Sequence, residues 1–207
     1  AGNDGRLTCA VTTYTLDGSA SSNGTGFTAL WAGPGINAGN QGQLSPVVSA
    51  PGTYFLTITD QSNFCQKTDT VVVSQDITNP VASSGPDRHL DCQTTTVTLN
   101  GSASSSGAFF TYNWAGAGIS PVNQTIKSPS VTVPGTYNLT VTNNDNGCTA
   151  VDNVLVTQDI ATPTANAGNT LTITCASPTI TINGSGSSSG SQFGYIWQGP
   201  VIPSTPF

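Results

Sequence analysis

The stretch Pro51-Gly52-Thr53-Tyr54-Phe55-Leu56-Thr57-Ile58-Thr59 has a near copy further along the chain, Pro134-Gly135-Thr136-Tyr137-Asn138-Leu139-Thr140-Val141-Thr142. In both copies a large apolar residue (Tyr, Leu, then Ile or Val) takes every second place, and the places between hold Thr except for Phe55 or Asn138. Successive side chains of an extended chain point to opposite faces, so this order makes one face apolar and the other hydroxylated. The stretch therefore predicts a half-buried strand opened by a Pro-Gly turn. Outward from it the same period-two pattern recurs. Tyr14 and Leu16, Val97 and Leu99, and Ile180 and Ile182 mark strands that end at Asp17-Gly18, Asn100-Gly101 and Asn183-Gly184, where Asx-Gly admits a tight turn. Phe27-x-Ala29-x-Trp31, Phe110-x-Tyr112-x-Trp114 and Phe193-x-Tyr195-x-Trp197 follow a Ser/Gly loop. A closing strand carries Val71 and Val73, or Val154 and Val156.

One constant step, from Pro51 to Pro134, runs through the chain. It relates Cys9, Cys92 and Cys175; Trp31, Trp114 and Trp197; and Cys65 and Cys148. Residues 1–83 and 84–166, compared without a gap, share 43 identities, which marks duplication of one folding unit. The reading divides the chain into a first repeat over 1–82, a second over 83–165 and the first half of a third over 166–207. The stretch 201–207 no longer follows the other copies. Half a unit cannot close its own core, so the expectation is either a piece of a longer array or completion by another chain. No charged-then-apolar leader precedes the first repeat, and the reading expects a processed or excised product.

Composition narrows the classes. Of 207 residues, 7 % are charged, against about 25 % in an average domain. Ten Asp, no Glu and four Lys or Arg give a net charge of −6, too few cations to neutralise nucleic-acid phosphates. No apolar run approaches the roughly 20 residues of a membrane-spanning helix. Ser and Thr make up more than a quarter of the chain, and good helix formers are scarce. About seven short alternating strands in each repeat point to an all-β, two-sheet sandwich.

The Trp strand (Tyr112-Asn113-Trp114), PGTY followed by alternating Leu, Thr and Val, and the closing Cys-x-x-x-Asp-x-Val together resemble the PKD-like, immunoglobulin-like tandem repeats of secreted bacterial surface proteins. The resemblance covers the whole chain. It departs at Ala32-Gly33-Pro34-Gly35 and Ala115-Gly116-Ala117-Gly118, which lack the acidic turn of PKD domains proper. It implies an extracellular spacer, stalk, fibre or adhesive module at the bacterial cell surface and names no ligand.

Each full unit has two cysteines at the same spacing, so the expected disulfides are Cys9–Cys65 and Cys92–Cys148, with Cys175 unpaired within the chain. Each would restrict the unfolded chain by roughly 4 kcal/mol in the entropy model and implies an oxidising compartment. The spacing matches no zinc motif.

Little in the sequence supports catalysis. His89 is the sole histidine and has Arg6 and Thr172 at its equivalent positions; no G-x-S-x-G elbow occurs. The chain is read as a non-enzyme that needs no cofactor. Asp4, Asp76, Asp87 and Asp159 stand near unit boundaries, where Asp76 and Asp87 could meet with backbone carbonyls around calcium; the competing reading is turn capping. The Trp residues are read as core rather than a sugar-stacking stripe. Asp69-Thr70-Val71 resembles a bacterial O-glycosylation acceptor, with Thr70 as the attachment point, and a Ser/Thr-rich surface suits attached glycans.

The function expected is structural: a segment of a surface fibre, filament or giant adhesin. It would self-associate or continue into neighbouring repeats, with Thr78-Asn79-Pro80 and Ala161-Thr162-Pro163 as stiff linkers. The alternative is a carbohydrate- or surface-binding accessory module. The loops over 19–26 and 102–107 are nearly alike and carry no charge, which favours the structural reading. Residues 37–44 form the most diverged loop and the best place for a ligand.

Overall fold

The computed structural model describes residues 1–199, so the divergent stretch 201–207 lies outside them. Contacts divide the chain into two compact bodies, one spanning Ala1–Gln158 and the other starting at Asp159.

The first body holds two copies of one six-stranded sandwich. The first copy comprises β1 (Gly5–Thr8), β2 (Tyr14–Thr15), β3 (Phe27–Ala32), β4 (Val47–Val48), β5 (Gly52–Asp60) and β6 (Gln66–Asp76). The second comprises β7 (Arg88–Asp91), β8 (Val97–Thr98), β9 (Phe110–Ala115), β10 (Ser130–Val131), β11 (Gly135–Asn143) and β12 (Thr149–Asp159). In each copy a four-stranded sheet, ordered β1-β6-β5-β3 or β7-β12-β11-β9, faces a two-stranded one, β2-β4 or β10-β8. The antiparallel β3-β5-β6 run matches the C-F-G sheet of the immunoglobulin sandwich, and β2-β4 supplies the opposing layer. The chain is thus a tandem of Ig-like β-sandwich repeats, with Trp31 and Trp114 at equivalent places one period apart. Six strands form per unit, against the approximate seven expected from the alternation.

The alternating stretch does what its period demands. Tyr54, Leu56, Val71 and Val73 are buried with Leu7, Leu16, Trp31 and Val48; Tyr137, Leu139, Val154 and Val156 are buried with Leu90, Leu99, Trp114 and Val131. The outer face carries the intervening Thr residues together with exposed Phe55, Val72 and Leu155. Trp31 and Trp114 are 1 % exposed, so they are core and not a stacking stripe, whereas Trp197 is half-buried. A buried tyrosine hydroxyl needs a partner. Tyr54 donates to the Ala50 carbonyl at 2.6 Å and Tyr137 to that of Val133 at 2.6 Å, a tyrosine corner reaching back along the chain. Burial pushes both phenols above their usual range.

In the second body residues 159–199 keep the local scaffold of a unit. Tyr195 donates to the Ser188 carbonyl, as Tyr112 does to that of Ser105. The Asn166 backbone amide donates to Ser187 Oγ, as that of Ser83 does to Ser104 Oγ. The apolar layer is nevertheless open. Ile173 and Ile182 are 62 % and 43 % exposed, where their counterparts Leu90 and Leu99 are fully buried.

Replacing a buried aromatic removes transfer free energy and leaves a cavity. Trp114→Ala is expected to lower unfolding free energy by about 3–5 kcal/mol. Val151→Ala, on the exposed face of β12, should change it by no more than about 0.5 kcal/mol. Denaturant midpoints with unchanged slopes check both.

Candidate functional site: the repeat junction

Strand β1 runs parallel to β6, with Gly5 opposite Val73 and Thr8 opposite Asp76. That direction places Cys9 beside the end of β6. Cys65 precedes the start of β6 at Gln66. The whole length of β6 separates the two ends, roughly 35 Å at strand rise, whereas a disulfide needs Cα atoms within about 7 Å. The expected Cys9–Cys65 bridge is therefore excluded, and Cys92–Cys148 fails for the same reason in the second copy. The bond that forms is Cys9–Cys148, with Cα atoms 5.0 Å apart, and it joins the first repeat to the second. Cys65, Cys92 and Cys175 are free and exposed.

The β11–β12 hairpin of the second repeat reaches back onto the end of the first. At its tip Asn146 is 1 % exposed and fully satisfied. Its side-chain nitrogen donates to Asp76 Oδ1 at 3.1 Å and to the Thr78 carbonyl at 3.0 Å, and its Oδ1 accepts from the Cys148 amide at 3.0 Å. Gly147 has φ +71°, and a Cβ there would stand 2.5 Å from that of Ala10. Close approach and left-handed backbone thus both require glycine. The Ala10 amide donates to the Asn146 carbonyl at 3.3 Å. Arg6 donates to Asp76 Oδ2 and Asp145 Oδ2, each at 2.7 Å, so one guanidinium ties a carboxylate of each repeat.

The electrostatics follow from these bonds. The Thr78 amide, Asn146 and Arg6 hold the Asp76 carboxyl down at about 2. Arg6 lowers that of Asp145, and the two carboxylates raise the guanidinium in turn.

The four aspartates read as calcium candidates do not form a shell. Asp4 Oδ1 accepts from the Val72 amide and Asp87 Oδ1 from that of Leu155, so both secure the strand edge. Asp159 caps the turn at Ala161. Asp76 meets Arg6 and Asn146 instead of Asp87. Among the described residues no three His, Cys, Asp or Glu side chains gather as metal ligands. His89 faces Thr157 Oγ1 at 2.9 Å. Thr70 lies exposed on β6 beside Asp69, whose Oδ1 accepts its amide. Loop 37–44, for all its divergence, keeps the geometry of its copy: the Asn37 amide donates to Asn40 Oδ1 at 2.7 Å, as Ser120 does to Asn123 Oδ1. Arg6, Asp145 and Asn146 were not singled out from the sequence. The one available signal was Asn-x-Cys, present at Asn63 and again at Asn146.

No protein-family model matches the chain, and no curated protein sequence does. Among solved structures it is similar to extracellular domains 3–5 of Drosophila OTK, at 15 % identity and TM-score 0.38 over 76 % of this chain and 59 % of that one. It is similar to the three N-terminal domains of the highly immunogenic outer capsid protein of bacteriophage RB49, at 14 % identity and TM-score 0.38 over 74 % and 56 %. A three-Ig titin structure aligns at 11 % identity and TM-score 0.37 over 79 % and 64 %. The chain thus spans less than two thirds of the length of each of these structures.

Removing a partner from a satisfied buried network leaves polar groups stranded. Asn146→Ala is expected to cost about 1–3 kcal/mol, and Asn63→Ala, whose side chain makes the same local turn bond without a neighbouring repeat, less than half of that. Chemical denaturation of the two variants separates junction from turn. Acid should act on the same place. Asp76 and Asp145 bind fewer protons folded than unfolded, so their contribution is present above about pH 4 and fades as pH falls through about 2. In Arg6→Ala the acid-dependent loss between pH 5 and 2 should shrink; an unchanged profile would remove Arg6 from the explanation.

Proposed function

We propose that this chain is an extracellular structural segment, a run of Ig-like units from a bacterial surface fibre, filament or giant adhesin, whose work is reach and mechanical endurance. The observation that carries the reading is the Cys9–Cys148 bond between adjacent repeats. A ligand-binding module needs a recognition surface and gains little from welding its domains together. A load-bearing array gains directly, because the weld holds the junction and shortens the chain that force can draw out. The disulfide supports an oxidising, extracellular setting. The low charge and hydroxyl-rich strand faces suit a surface carrying glycans, with Thr70 as one acceptor. Among the described residues no helix is long and apolar enough to cross a membrane. The exposed apolar layer of residues 159–199 supports continuation into further repeat material, in the same chain or from a neighbour. The resemblance to PKD-like surface repeats supports the bacterial assignment.

The mechanical role is tested by pulling the oxidised chain from its ends. Residues between Cys9 and Cys148, 139 apart in sequence, are shielded from extension. Adding reductant should lengthen the fully extended chain by about 470 Å at roughly 3.4 Å per residue. Equal contour lengths before and after reduction would sink the reading.

A further inference from the structure

The bond between repeats sets a rule, and the rule assigns a partner to Cys92. Cys9 follows the last residue of β1, where Thr8 Oγ1 accepts the Ala10 and Val11 amides and the Thr8 amide donates to the Val11 carbonyl. Cys92 holds the same place after β7. Asp91 Oδ1 accepts the Gln93 and Thr94 amides, and the Asp91 amide donates to the Thr94 carbonyl. One of these equivalent cysteines is bonded to the hairpin of the following repeat; the other is exposed and free.

A second observation points to the same occupant. In residues 159–199, taken alone, Ile182, Phe193, Tyr195 and Trp197 line a cleft of about 770 Å³. In the first body the counterparts of Ile182 and Trp197 are covered by the second half of a unit: Tyr137, Leu139, Val154 and Val156 bury Leu99 and Trp114. The segment that supplies those residues, β11 and β12, also supplies Cys148 at its hairpin.

We infer that Cys92 is the receptor for the hairpin cysteine of the next repeat, so that each unit's first cysteine bonds to the second cysteine of the unit after it. The occupant is the second half of a repeat of this kind, with Tyr-x-Leu and Val-x-Val strands joined by an Asn-Gly-Cys hairpin. Glycine before the cysteine is part of the requirement. The free Cys65 hairpin has the same backbone, with Phe64 at φ +60° where Gly147 has +71°. Any receptor residue other than glycine carries a Cβ where Ala10 has one, so the Phe64 Cβ collides with it. The Cys65 hairpin is thereby barred from the Cys92 seat, and two copies of this chain do not close through Cys65 and Cys92.

Bond formation consumes a small-molecule disulfide of the glutathione class. One protein thiolate attacks it and expels a thiol; the second protein thiolate attacks the mixed disulfide and expels the other. Two protein thiols become one disulfide, and two small thiols leave with the protons and electrons.

The test appends a second copy of residues 117–160 directly after Gly199, which keeps the repeat in register, and maps disulfides in the oxidised, unreduced product by mass spectrometry. The expected pairs are Cys9–Cys148 and Cys92 with the cysteine of the appended copy, leaving Cys65 and Cys175 open to alkylation. Cys175 bonded to the appended cysteine would mean pairing within a unit and would overturn the inference, as would an alkylated Cys92. A second measurement avoids dependence on folding of the extended chain. A synthetic peptide of residues 135–159, equilibrated with the unextended chain in a glutathione redox buffer, should couple to Cys92 about tenfold more than to Cys65 or Cys175, since docking raises the local thiol concentration. The Gly147→Phe peptide should lose that preference. Equal labelling of the three cysteines by the parent peptide would reject the seat. The pulling experiment depends only on Cys9–Cys148, so failure here with that bond intact leaves the structural reading standing, whereas failure there removes the rule from which the Cys92 partner is inferred.

Discussion

The parallel pairing of β1 with β6 is the constraint on which the rest of this molecule depends. Most neighbouring strands in each sandwich are antiparallel, which would bring a first strand's end near a hairpin of its own unit. Because β1 runs with β6, its end points at the next repeat. Arg6, Thr8 and Cys9 then stand at the pole of the unit beside Asp76, and the chain turning out of β6 delivers the second repeat to the same place. The junction is assembled from residues that each unit must expose at that end.

What fills the junction is small, polar and covalent. Asn146 satisfies donors and acceptors from both repeats while nearly inaccessible to water, a condition under which polar groups specify one arrangement rather than many. Arg6 binds two carboxylates that would otherwise repel. An isolated exposed ion pair contributes little, so the guanidinium is better understood as setting the relative position of the two poles than as the source of their adhesion. The disulfide makes the arrangement permanent. Its sequence separation of 139 restricts the unfolded chain by about 5 kcal/mol in the entropy model. These features make residues 1–158 one body although they hold two complete cores.

The sandwich itself was open to reading because its signal is local. Tyr54 and Leu56 stand two residues apart, and the pleat alone sends them inward; Trp31 and Trp114 join them for the same reason. The junction was not open to reading in that way. Cys9 and Cys65 are the obvious pair by count, and only strand direction shows them at opposite poles. Asp76 looked like half of a metal site because Asp87 is near in sequence. The fold gives Asp76 to Arg6 and Asn146, and uses Asp87 to cap the amide of Leu155 on a strand edge.

By itself, the sequence determined the repeat length, the alternation that makes each unit a two-sheet sandwich, and the identity of the core. These follow from periodicity and composition, which act over a few residues at a time. Tertiary structure alone decided which cysteines meet, which carboxylates share a cation, and that neighbouring units are welded. Those outcomes turn on the sense in which two strands lie side by side. An alternating pattern is the same read in either direction, so it holds no information about that choice.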